Sequence, residues 1–268
     1  MTKIKKLIME DFGVFRGKHE IEFATDEKNK MTVIIGPSGS GKTTILNAIC
    51  RSFGLGEPFG FHNHDFEERQ NYENRKSSVE FEGNKISNNI VEVGCHFLDG
   101  ESLENWFNSD RLKNEVDVDD SFIDEMNELF GKYGGPRQHR LRFARDENSI
   151  FYLNNNDTMY NPSAFHKAIM TLIFWLVLKN RLFPESFLIL DEPLPKISSD
   201  RQIKLFEMII ENTQQLIVLD STTDYLDLVV SMNPNESHPS LRDFITKQMD
   251  VKEYQIIMKE GIASIEPL

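Results

Sequence analysis

Two short stretches carry residues whose types and spacing suit phosphate chemistry. The first is Gly36-Pro37-Ser38-Gly39-Ser40-Gly41-Lys42-Thr43-Thr44, which satisfies G-x-x-x-x-G-K-[ST] in full. Gly36, Gly39 and Gly41 permit backbone conformations that a side chain would block, so successive N–H groups can turn inward around an anion. Lys42 is spaced to reach the β- and γ-phosphates of a nucleotide, and Thr43 to offer a hydroxyl to Mg²⁺. The second stretch is Phe187-Leu188-Ile189-Leu190-Asp191-Glu192-Pro193, an apolar run ending in two adjacent carboxylates. Asp191 is spaced to act on the metal and Glu192 to orient or deprotonate a water. Burying two neighbouring carboxylates for structure alone would be costly.

The elements around these residues must place them together. Thr32 to Ile35 is a β-branched run of the kind found inside parallel sheets. The apolar-periodic segment after Thr43 predicts a helix whose positive N-terminal end faces the same anion. Phe187–Leu190 predicts a second buried strand, with its acids at the C-terminal edge where open α/β sheets bind ligands. Ahead of these, residues 3–9 and 19–24 predict two strands joined by a turn over Asp11–Gly17. Ala168 to Leu178 predicts a core helix, because it stops well short of the ~20 residues that a membrane span needs. Asp220 follows a strand over Gln215–Leu219, and Tyr254–Met258 with Ile262–Ile265 predicts a closing hairpin turned at Glu260-Gly261.

The chain of 268 residues, 39% hydrophobic and with 20 Phe, has enough apolar material for one large core or two small ones. A net charge of −13 argues against coating nucleic acid by charge alone. Cys50 and Cys95 have no metal-like spacing and read as reduced thiols of a cytoplasmic protein. No signal peptide is visible, since the apolar run in the first residues is too short for one. His62-Asn63-His64 lacks further ligands at useful spacing and reads as a surface loop. Arg137, Arg140, Arg142 and Arg145 alternate with His139, Leu141 and Phe143. That pattern fits either a nucleic-acid-facing strip or the solvated face of an antiparallel sheet, and the second is the simpler reading.

Together these motifs resemble ABC-type P-loop ATPases of the SMC/RecF-like class. The opening hairpin, with Asp11-Phe12-Gly13-Val14-Phe15-Arg16-Gly17 at its turn, the loop Gly36–Thr43, the strand ending in Asp191-Glu192 and the closing hairpin follow that class in order. The resemblance implies an α/β ABC-type P-loop NTPase fold: a mixed sheet with an N-terminal antiparallel part and flanking helices. It implies one domain over 1–268, with residues 54–154 as a meander and helical insertion region. It implies ATP and Mg²⁺ as cofactors, with Lys42 and Glu192 catalytic and Thr43 and Asp191 at the metal. Arg16 either lies near the phosphates, as the resemblance implies, or is a solvated turn arginine. Ser163, within Asn161–Lys167, matches the signature serine that caps a partner's nucleotide, although the signature glycines are replaced by Ala164 and Phe165. The loop after Asp191-Glu192 offers Ser198 or Asp200 at the family's aspartate position. The strand at Gln215–Leu219 is followed by Ser221 and Thr222 where the family has a histidine, and Gln138 is the nearest glutamine to the family's Q-loop. No heptad segment is present, so no coiled-coil arm is expected. The expected partners are a second copy or a larger complex, with DNA reached through the assembly and no membrane. The setting implied is DNA maintenance or defence against foreign DNA. The alternatives are a nucleotide-sensing interaction protein with little hydrolysis, and the ATP-binding subunit of a transporter.

Overall fold

A computed structural model describes residues 3–26, 28–52, 76–82, 118–133, 140–145, 150–162, 164–182, 184, 187–191, 199–221, 229–230, 237–238 and 240–268. In chain order the strands are β1 (Lys3–Phe12), β2 (Phe15–Glu22), β3 (Met31–Ile35), β4 (Lys76–Glu82), β5 (Leu141–Arg145), β6 (Ile150–Asn154), β7 (Met159–Tyr160), β8 (Phe187–Asp191), β9 (Gln215–Asp220), β10 (Val229–Val230), β11 (Ser237–His238), β12 (Val251–Lys259) and β13 (Ile262–Pro267). The helices are α1 (Lys42–Ser52), α2 (Asp120–Tyr133), α3 (Ala164–Leu182), α4 (Ser199–Glu211) and α5 (Leu241–Gln248). They fall into two compact units, one drawn from residues 1–95, 185–195 and 213–268, the other from 96–184 and 196–212.

The first unit is built on an eight-stranded sheet in the order β4-β1-β2-β13-β12-β3-β9-β8. Its β12-β3-β9-β8 end pairs in parallel, while β1 pairs antiparallel with β2 and β4, and β12 with β13. This is the mixed sheet with an antiparallel N-terminal part that the motif order implies. Every residue of β3 and β9 is buried, as are Phe187 to Leu190 of β8. Short runs without polar alternation are what a strand covered on both faces requires. β2, between β1 and β13, is largely polar instead: only Phe15 and Ile21 are buried, and Glu20 pairs with Lys6 at 3.0 Å and Lys18 at 2.6 Å.

The first hairpin differs from expectation at its turn. The strands run on to Phe12 and resume at Phe15, leaving only Gly13-Val14 between them. Phe12 and Phe15 pair in register and are both wholly buried. Burying two aromatic rings outweighs the turn tendency of the flanking residues. The extra residue is taken up by a register shift between Glu10 and Phe12, where Asp11 sits at φ 50° and its Oδ1 accepts the Gly17 N–H at 2.8 Å. The closing hairpin has the expected two-residue turn, with Glu260 at φ 52° and Gly261 at φ 78°. It lies in the middle of the sheet, between β2 and β3.

Helix α5 is held by a reciprocal cap. Ser240 Oγ accepts the Asp243 N–H at 3.1 Å, and Asp243 Oδ2 accepts the Ser240 N–H at 3.4 Å. Ser240 is buried, so Ser240→Ala strips a shielded donor of its partner. The expected loss is about 1 kcal/mol of unfolding free energy, read from urea denaturation.

The second unit contains α2, α3, α4 and the antiparallel sheet β5-β6-β7. Leu141 and Phe143 of β5 point inward while Arg140 and Arg142 are exposed, as the alternation predicts. Arg142 pairs with Asp157 at 2.7 Å and Arg145 with Asp120 at 3.1 Å, an arrangement that fits the solvated-face reading. Phe130, Phe143 and Tyr152 cluster at ring separations of 4.7 to 5.5 Å. Burial pushes the Tyr152 phenol well above its ordinary range, so it stays protonated and donates to His166 O at 2.7 Å. Helix α3 extends beyond the expected core helix at both ends, and Thr171 to Lys179 are buried throughout. Among the described residues no helix is long and apolar enough to cross a membrane.

Candidate functional site

Gly36 to Thr44 leave the end of β3 and wrap into the first turn of α1. The loop is anchored at its start by Gly36 N–H donating to Asp220 O on β9 at 3.2 Å, and it tightens through Ser40 N–H to Pro37 O at 3.1 Å. Helix α1 then takes over with Ile45 N–H to Gly41 O at 3.1 Å. Pro37, Ser38, Gly39 and Thr43 are exposed, whereas Ser40, Lys42 and Thr44 are buried. Gly39 and Gly41 adopt φ +78° and +104°, conformations that only glycine enters without strain.

At its start the loop leaves no room for an added side chain. A Cβ on Gly36 would fall 2.4 Å from Ser40 Oγ and 3.1 Å from Ile256 Cβ. Ser40 Oγ is buried and, among the described residues, has no hydrogen-bond partner. Lys42 is 5% exposed, and its Nζ donates to Gly36 O at 2.9 Å and to Pro37 O at 3.3 Å. Its ammonium is thus folded over the loop whose N–H groups the spacing assigns to phosphate. This cradle fits a nucleotide's phosphate chain.

Strand pairing supplies the other half. β8 lies beside β9, and β9 beside β3, all parallel, so Asp191 is opposite Leu219 and Ile35 opposite Asp220. The C-terminal ends of three strands therefore meet at the loop. Thr43 Oγ1 donates to Asp191 Oδ2 at 3.4 Å, joining residues 148 positions apart. A hydroxyl beside one carboxylate suits Mg²⁺, which takes few protein ligands and completes its shell with phosphate and water. Among the described residues no group of three or more His, Cys, Asp or Glu gathers into a metal cage.

Arg16 is exposed, with its carbonyl 2.8 Å from His19 Nε2. Asp220, buried at the end of β9, accepts the Ser221 N–H at 2.7 Å through Oδ1. Glu192, Ser163, Ser198, Thr222, Gln138, Cys95 and His62–His64 lie outside the described residues. Three contributors to the loop were not read from sequence. Ile256 of β12 carries no signal that could have flagged it. Val14 and Phe15, which press on Gly41, adjoin the Arg16 that the motif singled out.

The family described as an AAA domain matches residues 6–217. No curated protein matches the chain. Among solved structures, an SMC head bound to the C-winged helix domain of ScpA is similar at 15% identity and TM-score 0.59, covering 99% of this chain and 97% of that one. The SMC head domain from Thermotoga maritima is similar at 19% identity and TM-score 0.52, covering 99% of both chains. The Smc head domain with an extended coiled coil from Pyrococcus furiosus, bound to the C-terminal domain of ScpA, is similar at 14% identity and TM-score 0.56, covering 100% of this chain and 96% of that one. These likenesses establish the fold. By its family match the chain belongs to the AAA-domain family, and its fold is that of SMC head domains, the ABC-type P-loop fold.

Proposed function

We propose that this chain binds Mg-ATP in the Gly36–Thr44 loop and that two copies close head to head around the nucleotide. The observation that carries this reading is the meeting of Thr43 and Asp191 beside the loop that Lys42 covers. Bound Mg-ATP supplies the transferable phosphoryl group and the cation that offsets its charge. Lys42 holds the phosphates, and the backbone N–H groups of Gly39 to Thr43 cradle them. Thr43 and Asp191 hold the metal. Glu192, next along from Asp191, orients the attacking water and takes its proton. Ser163 approaches the nucleotide of the partner copy, and Arg16 reaches toward the phosphates.

The signature region reads Pro162-Ser163-Ala164-Phe165 without glycines. Side chains there crowd a backbone that must approach a phosphate closely, so ATP binding rather than rapid hydrolysis drives the action. The work done is joining two subunits or recruiting a partner protein, in DNA maintenance or defence against foreign DNA. The fold it shares with SMC heads, two of which were solved bound to parts of ScpA, supports that setting by analogy.

Calorimetry with Mg-ATP, steady-state turnover and light scattering test this together. Glu192→Gln is expected to keep nucleotide uptake, lower turnover by roughly 10²- to 10⁴-fold and accumulate the closed dimer. Uptake with no turnover in either protein would leave a nucleotide sensor rather than an ATPase. No uptake of any magnesium–nucleotide complex would sink the whole reading.

A further inference from the structure

The phosphate loop is wedged from outside by the first hairpin. Gly41, the last glycine before Lys42, faces the β1–β2 turn so closely that a Cβ there would lie 2.5 Å from Val14 Cγ2 and 3.0 Å from Phe15 Cε2. The wedge is itself fixed. Phe15 is wholly buried, with its ring edge-on to His19 at a centroid distance of 5.4 Å. Val14 packs against the core, and its carbonyl accepts the Ala263 N–H of β13 at 2.9 Å. Gly41 meanwhile sits at φ +104°, a conformation that glycine alone does not prefer over its alternatives. A flexible residue in one conformation needs an outside constraint, and the Val14 methyl and the Phe15 ring edge are the atoms in place to supply it.

We propose that Val14 and Phe15 are positioning residues for the nucleotide site: they act through Gly41 to hold the loop's N–H groups and the start of α1 in the phosphate-binding arrangement. The β1–β2 turn is tied through Ala263 to the closing hairpin. Both terminal hairpins therefore set the geometry of a site to which they contribute no residue assigned to phosphate other than Arg16. The inference rests on the Mg-ATP reading for its consequence, but its structural part stands without nucleotide.

The test compares Val14→Ala, Val14→Ile and Val79→Ala with the parent chain. Val14→Ile keeps both γ carbons, whereas Val14→Ala removes them. Val79→Ala makes the same truncation in the same core, on β4. Amide hydrogen exchange across residues 38–45 is followed without nucleotide, and Mg-ATP affinity by calorimetry. Faster loop exchange and roughly tenfold weaker uptake in Val14→Ala, with the other two like the parent, is the expected result. Parent-like exchange in Val14→Ala would overturn the proposal, as would equal changes in Val14→Ala and Val79→Ala, which mean general loosening. If Val14→Ala alone speeds loop exchange but the parent takes up no Mg-ATP, the positioning role stands and the ATPase reading falls.

Discussion

Lys42→Ala is expected to weaken Mg-ATP uptake by about 100-fold or more. A charge-assisted hydrogen bond contributes roughly 1.5–3 kcal/mol, and Lys42 is placed to make more than one to the phosphate chain. At about 1.4 kcal/mol per tenfold, that loss is two orders of magnitude or greater. The residue is nearly buried, with Gly36 O and Pro37 O already accepting from its Nζ, so little water competes for the ammonium. Lys42→Arg is expected to fail as well, because a planar fork cannot replace a compact ammonium inside a loop this tight. Calorimetry reads the affinity, and circular dichroism confirms that the variants fold. Unchanged affinity in folded Lys42→Ala would remove Lys42 from the site.

Gln215→Leu is expected to be strongly destabilising. The Gln215 side chain is fully buried at the start of β9. Its Oε1 accepts the Ile4 N–H at 2.8 Å, and its Nε2 donates to Ile4 O at 2.7 Å and Ala24 O at 2.8 Å. One amide thus satisfies three backbone groups on β1 and just beyond β2. Leucine nearly matches its volume, which limits any cavity, but it leaves all three groups unpaired. Each buried unpaired group costs about 1–3 kcal/mol, so a loss on the order of 4 kcal/mol is expected from urea unfolding. The same change would loosen the start of the strand whose far end accepts from Gly36 N–H. A loss under about 1 kcal/mol would show that water replaces the amide.

Much of the site could be read along the chain because its chemistry is local. The glycine spacing, Lys42 and Thr43 lie within one turn and the first residue or two of one helix, and backbone sterics alone dictate glycine there. The buried strands β3, β8 and β9 were legible because a strand covered on both faces must be apolar at successive positions. The alternation of Leu141 and Phe143 with Arg140 and Arg142 was legible for the complementary reason.

Contacts between distant segments have no such local signature. The sequence states that Asp191 ends a buried strand; parallel pairing through β9 is what carries it to Thr43. The closing hairpin was recognisable from its turn, yet its place between β2 and β3, where Ile256 meets the phosphate loop, follows from sheet order. Gln215 looks like any polar residue at a strand start until the backbone groups of Ile4 and Ala24 are brought to it. Local sterics and hydrophobic period write themselves into neighbouring residues. Which strand lies beside which depends on the free energy of burying the whole sheet, a sum spread over the chain and visible at no single position.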